Sequence, residues 1–197
     1  MEMQPWTYDE DELVADLGIF RVRRLRGRSS LTRHTSSITR VESSPWVNVV
    51  PLTDAGEVVL IRQFRHGTCE FTLEVPGGLV DPGEDPAAAA ARELLEETGY
   101  AGSAPDLLGS VTPNPAFLDN RCYTYLISDC RPVADPSPEE GEEIEIQIHP
   151  LGAVPELIAT GRIDHSLVIN AFWWYFGPDP ARVTAAPAPR RGESEES

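Results

Sequence analysis

The sequence predicts an α/β protein: a mixed β-sheet covered on both faces by helices, with a small antiparallel β extension ahead of it. Three observations lead to this prediction. Strand-like segments stand both before and after one alanine-rich helix, and two further helical segments end the ordered part of the chain. One central strand is apolar at consecutive positions, which indicates burial on both faces.

Composition excludes several classes of function. The chain has 197 residues, a net charge of −16 and 16 basic residues, all of them arginine. A chain without lysine has neither a Walker lysine nor a Schiff-base nucleophile. Strong acidity predicts no nucleic-acid partner.

No segment is apolar over the length of a membrane span, so no membrane partner is expected. The acidic N-terminus lacks a signal pattern, and the three cysteines form no CxxC pair. We expect reduced thiols and a cytoplasmic location.

The N-terminal segments differ in charge. Residues 1–18 are acidic and are expected either to lie on the surface or to be loosely ordered. Residues 19–28 and 32–43 favour strands, and residues 21–40 hold seven arginines and no acid. These arginines either lie on solvated faces of edge strands or contact phosphate or a partner.

The next segments lead to the central helix. Strands are expected at 46–52, 57–64 and 71–75, with consecutive apolar residues in the second of them. Asp85 is suited to cap a helix that begins with Pro86 and ends at Gly99. Alanines 87–91 favour this helix and let it lie close to the sheet.

Strands follow near 107–111, at 121–127 and at 144–148, and residues 101–120 and 131–143 otherwise resemble loops. A short helix is expected at 152–160. A last helix begins after a capping Asp164, with four residues directed to the core: Leu167, Val168, Phe172 and Trp173. The predicted organisation is a β extension over 1–44, one domain over 45–177 and a disordered tail over 178–197.

The central helix carries Glu93, Glu96 and Glu97, which share one face because they are three and four residues apart. Three carboxylates on one turn repel one another. A hard divalent cation with oxygen ligands removes this conflict. A second acidic segment, 135–145, has six acids and no base.

The spacing of this segment resembles the Nudix box, Gx5Ex7REUxEExGU, where U is an apolar residue. All seven fixed positions match: Gly78, Glu84, Arg92, Glu93, Glu96, Glu97 and Gly99. Leu94 fills the first apolar position, and Tyr100 departs from the usual aliphatic residue at the second. The resemblance covers roughly residues 45–175 and implies a Nudix-type α/β/α sandwich.

The resemblance also implies a reaction: hydrolysis of a nucleoside diphosphate linked to another group, with Mg²⁺, or Mn²⁺ in its place. The metal ligands would be Glu93, Glu97, Glu96 as ligand or orienting group, and the carbonyl of Gly77. Glu84 and Arg92 would hold the loop to the helix, with Gly78 and Gly99 as structural positions of the box.

The chain resembles the ADP-ribose pyrophosphatase branch, in which a late acidic loop supplies the general base. Glu142, just before a strand, is the first candidate, and Glu140, across Gly141, is the second. Arg65 resembles a contact to substrate phosphate or ribose, although it could simply pair with an acid. Trp46 or Phe20 could stack on a base, but core packing suits both residues as well.

Pro115, fifteen residues after Tyr100, also resembles that branch, although Ala116 replaces a frequent glycine. The predicted activity is therefore hydrolysis of ADP-ribose or a related nucleoside diphosphate sugar to a nucleoside monophosphate and a sugar phosphate. The alternatives are GDP-mannose, a dinucleotide, a nucleoside triphosphate, a coenzyme A derivative, or a nucleotide-sugar sensor without catalysis. The N-terminal strands resemble a dimerisation region, which predicts a homodimer that brings Arg24 or Arg26 toward the neighbouring active site.

Overall fold

The computed structural model describes residues 4–138 and 141–177. In chain order the strands are β1 (Thr7–Asp16), β2 (Phe20–Arg28), β3 (Thr35–Ser43), β4 (Trp46–Pro51), β5 (Glu57–Arg65), β6 (Glu70–Glu74), β7 (Tyr100–Ala101), β8 (Asp106–Val111), β9 (Cys122–Ile127), β10 (Arg131–Pro132) and β11 (Ile144–Pro150). The helices are α1 (Pro86–Thr98), α2 (Val154–Ala159), which follows a 3₁₀ turn at Leu151–Ala153, and α3 (Ser166–Phe176).

The first three strands form an antiparallel sheet in the order β1-β2-β3. Of the two expectations for this segment, a surface position holds for Thr7–Asp16, which form the exposed strand β1 rather than a loosely ordered stretch. The acids of β1 pair with the arginines of β2. Arg26 binds Asp9 through two hydrogen bonds of 2.8 and 3.0 Å. Arg24 lies 3.3 Å from Glu12. Opposite charges on neighbouring strands stabilise such a pair of strands.

Two larger sheets form the centre of the protein. One is mixed, since β4 runs parallel to β9 and β8 runs antiparallel to β9. The other is antiparallel, in the order β11-β5-β6. The prediction of a mixed sheet is confirmed, and the remaining central strands form this second sheet. The two-residue pair β7–β10 lies in segments that were expected to be loops.

Helices cover both faces of the mixed sheet. Val47 and Val49 of β4 pack with Leu94 of α1, whereas Val50 packs with Phe172 of α3 on the opposite face. Successive residues of a strand point to opposite faces, so β4 contributes to both layers of the core. The predicted α/β/α sandwich is therefore confirmed.

The ends of the helices follow the sequence with one exception. Asp85 accepts a hydrogen bond of 2.8 Å from the N–H of Ala87, and Gly99 ends α1 with φ 71°. Asp164, however, does not cap α3, because the residue before the first turn is His165, which makes no capping side-chain bond.

In α3 the prediction that Trp173 points to the core is wrong. Trp173 is half-exposed, and Trp174 is buried in its place.

Within the described ranges, no helix combines the length and apolar character that crossing a membrane requires. The predicted tail over residues 178–197 lies outside the described residues.

Candidate active site

The site begins at a glycine turn that runs beside β4. The carbonyls of Pro76 and Gly78 accept hydrogen bonds of 2.8 and 2.9 Å from the N–H groups of Val49 and Val47. A Cβ atom on Gly77 would lie 2.1 Å from the carbonyl oxygen of Val47. The backbone can come this close to β4 only because residue 77 has no side chain.

Gly77 also faces helix α1. Its N–H donates a hydrogen bond of 2.9 Å to Oε2 of Glu97. This bond joins the glycine turn to the buried acid of the helix.

Glu97 is buried because of its place on the helix. Ala90, Leu94 and Glu97 are spaced four and three residues apart, so they share the stripe that faces the core. Only 4% of Glu97 is exposed. Burial raises the pKa of Glu97 to about 8; the Gly77 N–H lowers it, and the neighbouring charges of Glu93 and Glu142 raise it further.

Glu93 lies one turn earlier, directly beneath Gly78. A Cβ atom on Gly78 would come within 2.5 Å of the Glu93 carboxylate, so a side chain at this position would displace that carboxylate. Burial raises the pKa of Glu93 to about 7, although the charge of Arg92 opposes the shift. Two poorly solvated carboxylates thus face the same turn of backbone.

Arg92 connects the loop to the helix. Its Nε and Nη2 bind both oxygens of Glu84 at 2.9 Å, and Nη2 also donates to the carbonyl of Leu79 at 3.1 Å. Nη1 donates to Oε1 of Glu93 at 2.9 Å and to Oε2 of Glu96 at 3.1 Å. These bonds orient two of the three helix acids and hold the turn closed.

The fit of this set to Mg²⁺ depends on the turn as well as on the helix. Among residues 4–138 and 141–177, no three His, Cys, Asp or Glu side chains are grouped as a metal site. Arg92 bonds to one oxygen of Glu93 and one of Glu96, and Gly77 contributes a backbone carbonyl. Hard oxygen donors and the mutual repulsion of buried carboxylates suit a divalent cation. The residues therefore fit the ion as a combined side-chain and backbone set.

The charge of Glu142 acts on the same carboxylates of the helix. Its exposed carboxylate is one of the charges that raise the pKa of Glu93 and Glu97, and it contributes to the raised pKa of Arg65 after Glu74. The tertiary structure thus brings the second acidic segment to the helix acids. The alternative base, Glu140, lies outside the described residues.

A cavity of about 780 Å³ lies next to the glycine turn. Gly77 and Gly78 form part of its wall, together with Trp46, Phe20 and Arg65. Its described lining does not include Pro115 or Arg24. Pro115 lies in a turn in which the Asn114 carbonyl accepts N–H groups of Phe117 and Leu118, and Arg24 lies on the N-terminal sheet.

The polar residues of the cavity that were not predicted as site residues include Glu74, Thr72 and His165. Glu74 is 97% buried, with a side-chain exposure of 3%, and binds Arg65 through two hydrogen bonds of 2.7 Å. The sequence did carry a signal for Glu74, because a single acid between Leu73 and Val75 in a buried strand requires a partner.

Comparison with known proteins gives the family. Residues 43–172 match the NUDIX domain. An ADP-ribose pyrophosphatase of Mycobacterium tuberculosis is 31% identical over 157 residues, which cover 77% of this chain and 73% of that protein. An ADP-sugar pyrophosphatase of Mus musculus is 33% identical over 61% of this chain and 57% of its own length.

An ADP-ribose pyrophosphatase of Bacillus subtilis is 30% identical, with 59% of this chain and 60% of that protein covered. The chain thus spans less than two thirds of the mouse and Bacillus relatives. A crystal structure of an ADP compounds hydrolase superposes with a TM-score of 0.78 at 24% identity, covering 89% of this chain and 94% of that one. This likeness supports the fold.

Proposed function

The chain belongs to the Nudix hydrolase family, and from this premise we propose that it hydrolyses the diphosphate bond of ADP-ribose or a related nucleoside diphosphate sugar, with Mg²⁺ as cofactor. The products would be a nucleoside monophosphate and a sugar phosphate. The names of the relatives from Mycobacterium and mouse support this substrate class. The observation that carries the proposal is the placement of two carboxylates, the partly buried Glu93 and the buried Glu97, beside the cavity wall at Gly77 and Gly78.

The metal set in this proposal consists of Glu93, Glu96, Glu97 and the carbonyl of Gly77. When bound, Mg²⁺ supplies neutralisation of the diphosphate charge and a lowered pKa for a water ligand. Mn²⁺ prefers similar oxygen ligands and could replace it. Arg92 orients Glu93 and Glu96 through Nη1, and its pair with Glu84 holds the loop in place.

Glu142 is the proposed general base. It would accept the proton of the attacking water, because its charge acts on both Glu93 and Glu97 and general bases act within hydrogen-bond reach of the water. Its position two residues before β11 restrains one side of its loop. Glu140 stays the second candidate.

The substrate lies in the cavity in this proposal. Arg65 contacts the diphosphate, since its guanidinium lines the cavity and is influenced by the charge of Glu97. Trp46 or Phe20 offers an aromatic face on which a base can stack. The role of Pro115 in substrate binding stays a prediction. This residue lies in the loop near β3 and is not part of the described lining of the cavity.

A homodimer through the N-terminal sheet is also proposed. The exposed apolar residues of strand β1 and of the link to β2 include Leu13, Val14, Leu17 and Ile19, and an exposed edge with apolar side chains favours pairing. Arg24 would then approach the neighbouring active site. Light scattering of the full chain tests the dimer, and a truncation that begins at Ser44 but stays dimeric with unchanged KM would contradict it.

The cytoplasm is the proposed location, since the thiols of Cys69, Cys122 and Cys130 are free in the structure and stay reduced there.

The test of the reaction is a substrate panel of ADP-ribose, GDP-mannose, UDP-glucose and NADH, with released monophosphates detected through a coupled phosphatase. The panel also contains a dinucleotide, a nucleoside triphosphate and a coenzyme A derivative. We expect turnover of ADP-ribose that requires Mg²⁺. Preference for another compound identifies another Nudix substrate, whereas tight binding without turnover identifies a sensor.

A further inference from the structure

Arg65 lines the cavity and lies close to the acids of helix α1. It ends β5. Its pKa is raised above all by the hydrogen bonds to Glu74, and further by the charges of Glu97 and Glu142. An arginine in this position can point to the substrate or turn toward the carboxylates of the metal site.

The side chain of Arg65 is 44% exposed, so packing alone does not fix its rotamer. A long, half-exposed side chain loses up to about 2 kcal/mol of conformational entropy when it is held in one orientation. Some other group must therefore define where the guanidinium points.

Glu74 is that group by geometry. Its Oε1 accepts Nε–H of Arg65, and its Oε2 accepts Nη2–H, both at 2.7 Å. This bidentate pairing fixes the plane of the guanidinium. Nη1 is the nitrogen that takes no part in the pair, and it lies at the opposite edge of the guanidinium from Nε.

The two oxygens of Glu74 have further partners. Oε1 accepts the hydroxyl of Thr72, and Oε2 lies 3.0 Å from Nδ1 of His165 at the start of α3. A carboxylate that is 3% exposed and has two partners on each oxygen is saturated. It is therefore poorly suited to bind metal or substrate itself, and it acts through Arg65.

We propose that Glu74 is a positioning residue of this enzyme: anchored by Thr72 and His165, it holds Arg65 toward the diphosphate of the substrate and away from Glu97 and Glu142. The inference rests on the proposed function, because it assigns a role within that reaction. Without Glu74, Arg65 is drawn to Glu97 and Glu142. It then competes with the metal for their charge.

A double-mutant cycle tests this role. Glu74→Gln, Arg65→Ala and the double variant are assayed for kcat, KM and the Mg²⁺ concentration at half-maximal activity, and Mn²⁺ binding is measured without substrate. For Glu74→Gln alone we expect kcat/KM to fall about tenfold or more, mainly through KM, with weaker Mn²⁺ binding. In the double variant, kcat/KM and Mn²⁺ binding should match those of Arg65→Ala alone, because Glu74 has no other route of action.

Equal effects of Glu74→Gln with and without Arg65→Ala would overturn the inference, since a merely structural role does not depend on Arg65. Glu145→Gln is the matched control. It removes an acid that pairs with another arginine of β5, Arg62, at 3.1 Å, and kcat/KM should stay within about twofold of the original.

Thr72→Val gives a second route if Glu74→Gln does not fold. Valine has nearly the shape of threonine but removes the hydroxyl bond to Glu74. We expect a fall in kcat/KM of about twofold to fivefold that disappears in combination with Arg65→Ala; its persistence there would overturn the inference. The parent protein's turnover of the substrate panel is measured separately, so an inactive parent counts against the proposed function and additive variants count against Glu74.

Discussion

The backbone N–H of Gly77 donates a hydrogen bond of 2.9 Å to Oε2 of Glu97, a residue 20 positions later in the chain. This bond joins the turn after β6 to the last part of α1. It holds a buried carboxylate against the glycine turn that forms part of the cavity wall. The proposed metal site therefore depends on the register between the turn and the helix.

Glu97→Gln should abolish most turnover while the fold survives. Glutamine can still accept the Gly77 N–H, but it brings no charge to the metal. A loss of several kcal/mol of charge stabilisation corresponds to a fall in kcat of about a thousandfold. Burial disfavours the charged form of Glu97, so without Mg²⁺ the melting temperature should be unchanged or higher. Near-normal turnover would contradict the assignment of Glu97 as a ligand.

Glu142→Gln should lower kcat by about 10²–10⁴-fold, the usual contribution of a general base. KM and Mn²⁺ binding should change little, because the variant keeps the metal ligands and the cavity. Glu143→Gln is the control, because Glu143 is the next exposed acid in the same segment. If both variants lose the same activity, local charge rather than a base is responsible.

Arg92→Lys should weaken metal binding and lower stability together. Lysine cannot form the two parallel bonds to Glu84 or reach Glu93 and Glu96 at once. We expect the free energy of unfolding to fall by about 1–2 kcal/mol and Mn²⁺ affinity to fall about 10–100-fold, as for other groups that orient ligands. Urea unfolding and Mn²⁺ titration measure these effects.

Arg26→Lys is the matched control for Arg92, since Arg26 also forms a bidentate pair, with Asp9. Those partners are 49% and 60% exposed, and exposed ion pairs contribute less than about 1 kcal/mol. If Arg26→Lys lowered the free energy of unfolding more than Arg92→Lys does, burial of the ion pair would not explain the different effects of the two variants.

Glu74 should make the protein sensitive to acid. Burial raises the pKa of Glu74, but hydrogen bonds from Arg65, His165 and Thr72, together with the charge of Arg65, outweigh it and hold this pKa below its ordinary value of 4.5. A lowered folded-state pKa means that the stabilisation is complete above pH 4.5 and is lost as the pH falls further. Glu74→Gln should therefore cost about 1–3 kcal/mol at pH 7 and progressively less below pH 4.5.

Urea unfolding of both proteins at pH 7, 5 and 3.5 checks this prediction. A difference between parent and Glu74→Gln that stays constant across that range would mean that Glu74 does not contribute through its charge.

The N-terminal sheet shows why some of the fold could not be predicted. The acids of β1 and the arginines of β2 are each ordinary solvated charges when their segments are considered alone. The hairpin places Glu10 opposite Arg26 and Glu12 opposite Arg24, and it brings the carboxylate of Asp9 to 2.8 Å from Arg26, so the acidic segment becomes a strand at the surface. Pairing of this kind depends on the partner strand, and local sequence carries no direct signal of it.

The sequence by itself determined the central helix and its acids. Asp85, Pro86 and Gly99 specify where α1 begins and ends, because capping depends on neighbouring residues only. The spacing of Glu93, Glu96 and Glu97 specifies one helix face for the same reason. The tertiary structure decided the rest: it buried Glu97, brought Glu142 near the helix and joined Arg65 to Glu74. Those relationships depend on which strands and loops pack together, and packing joins residues that are distant in sequence.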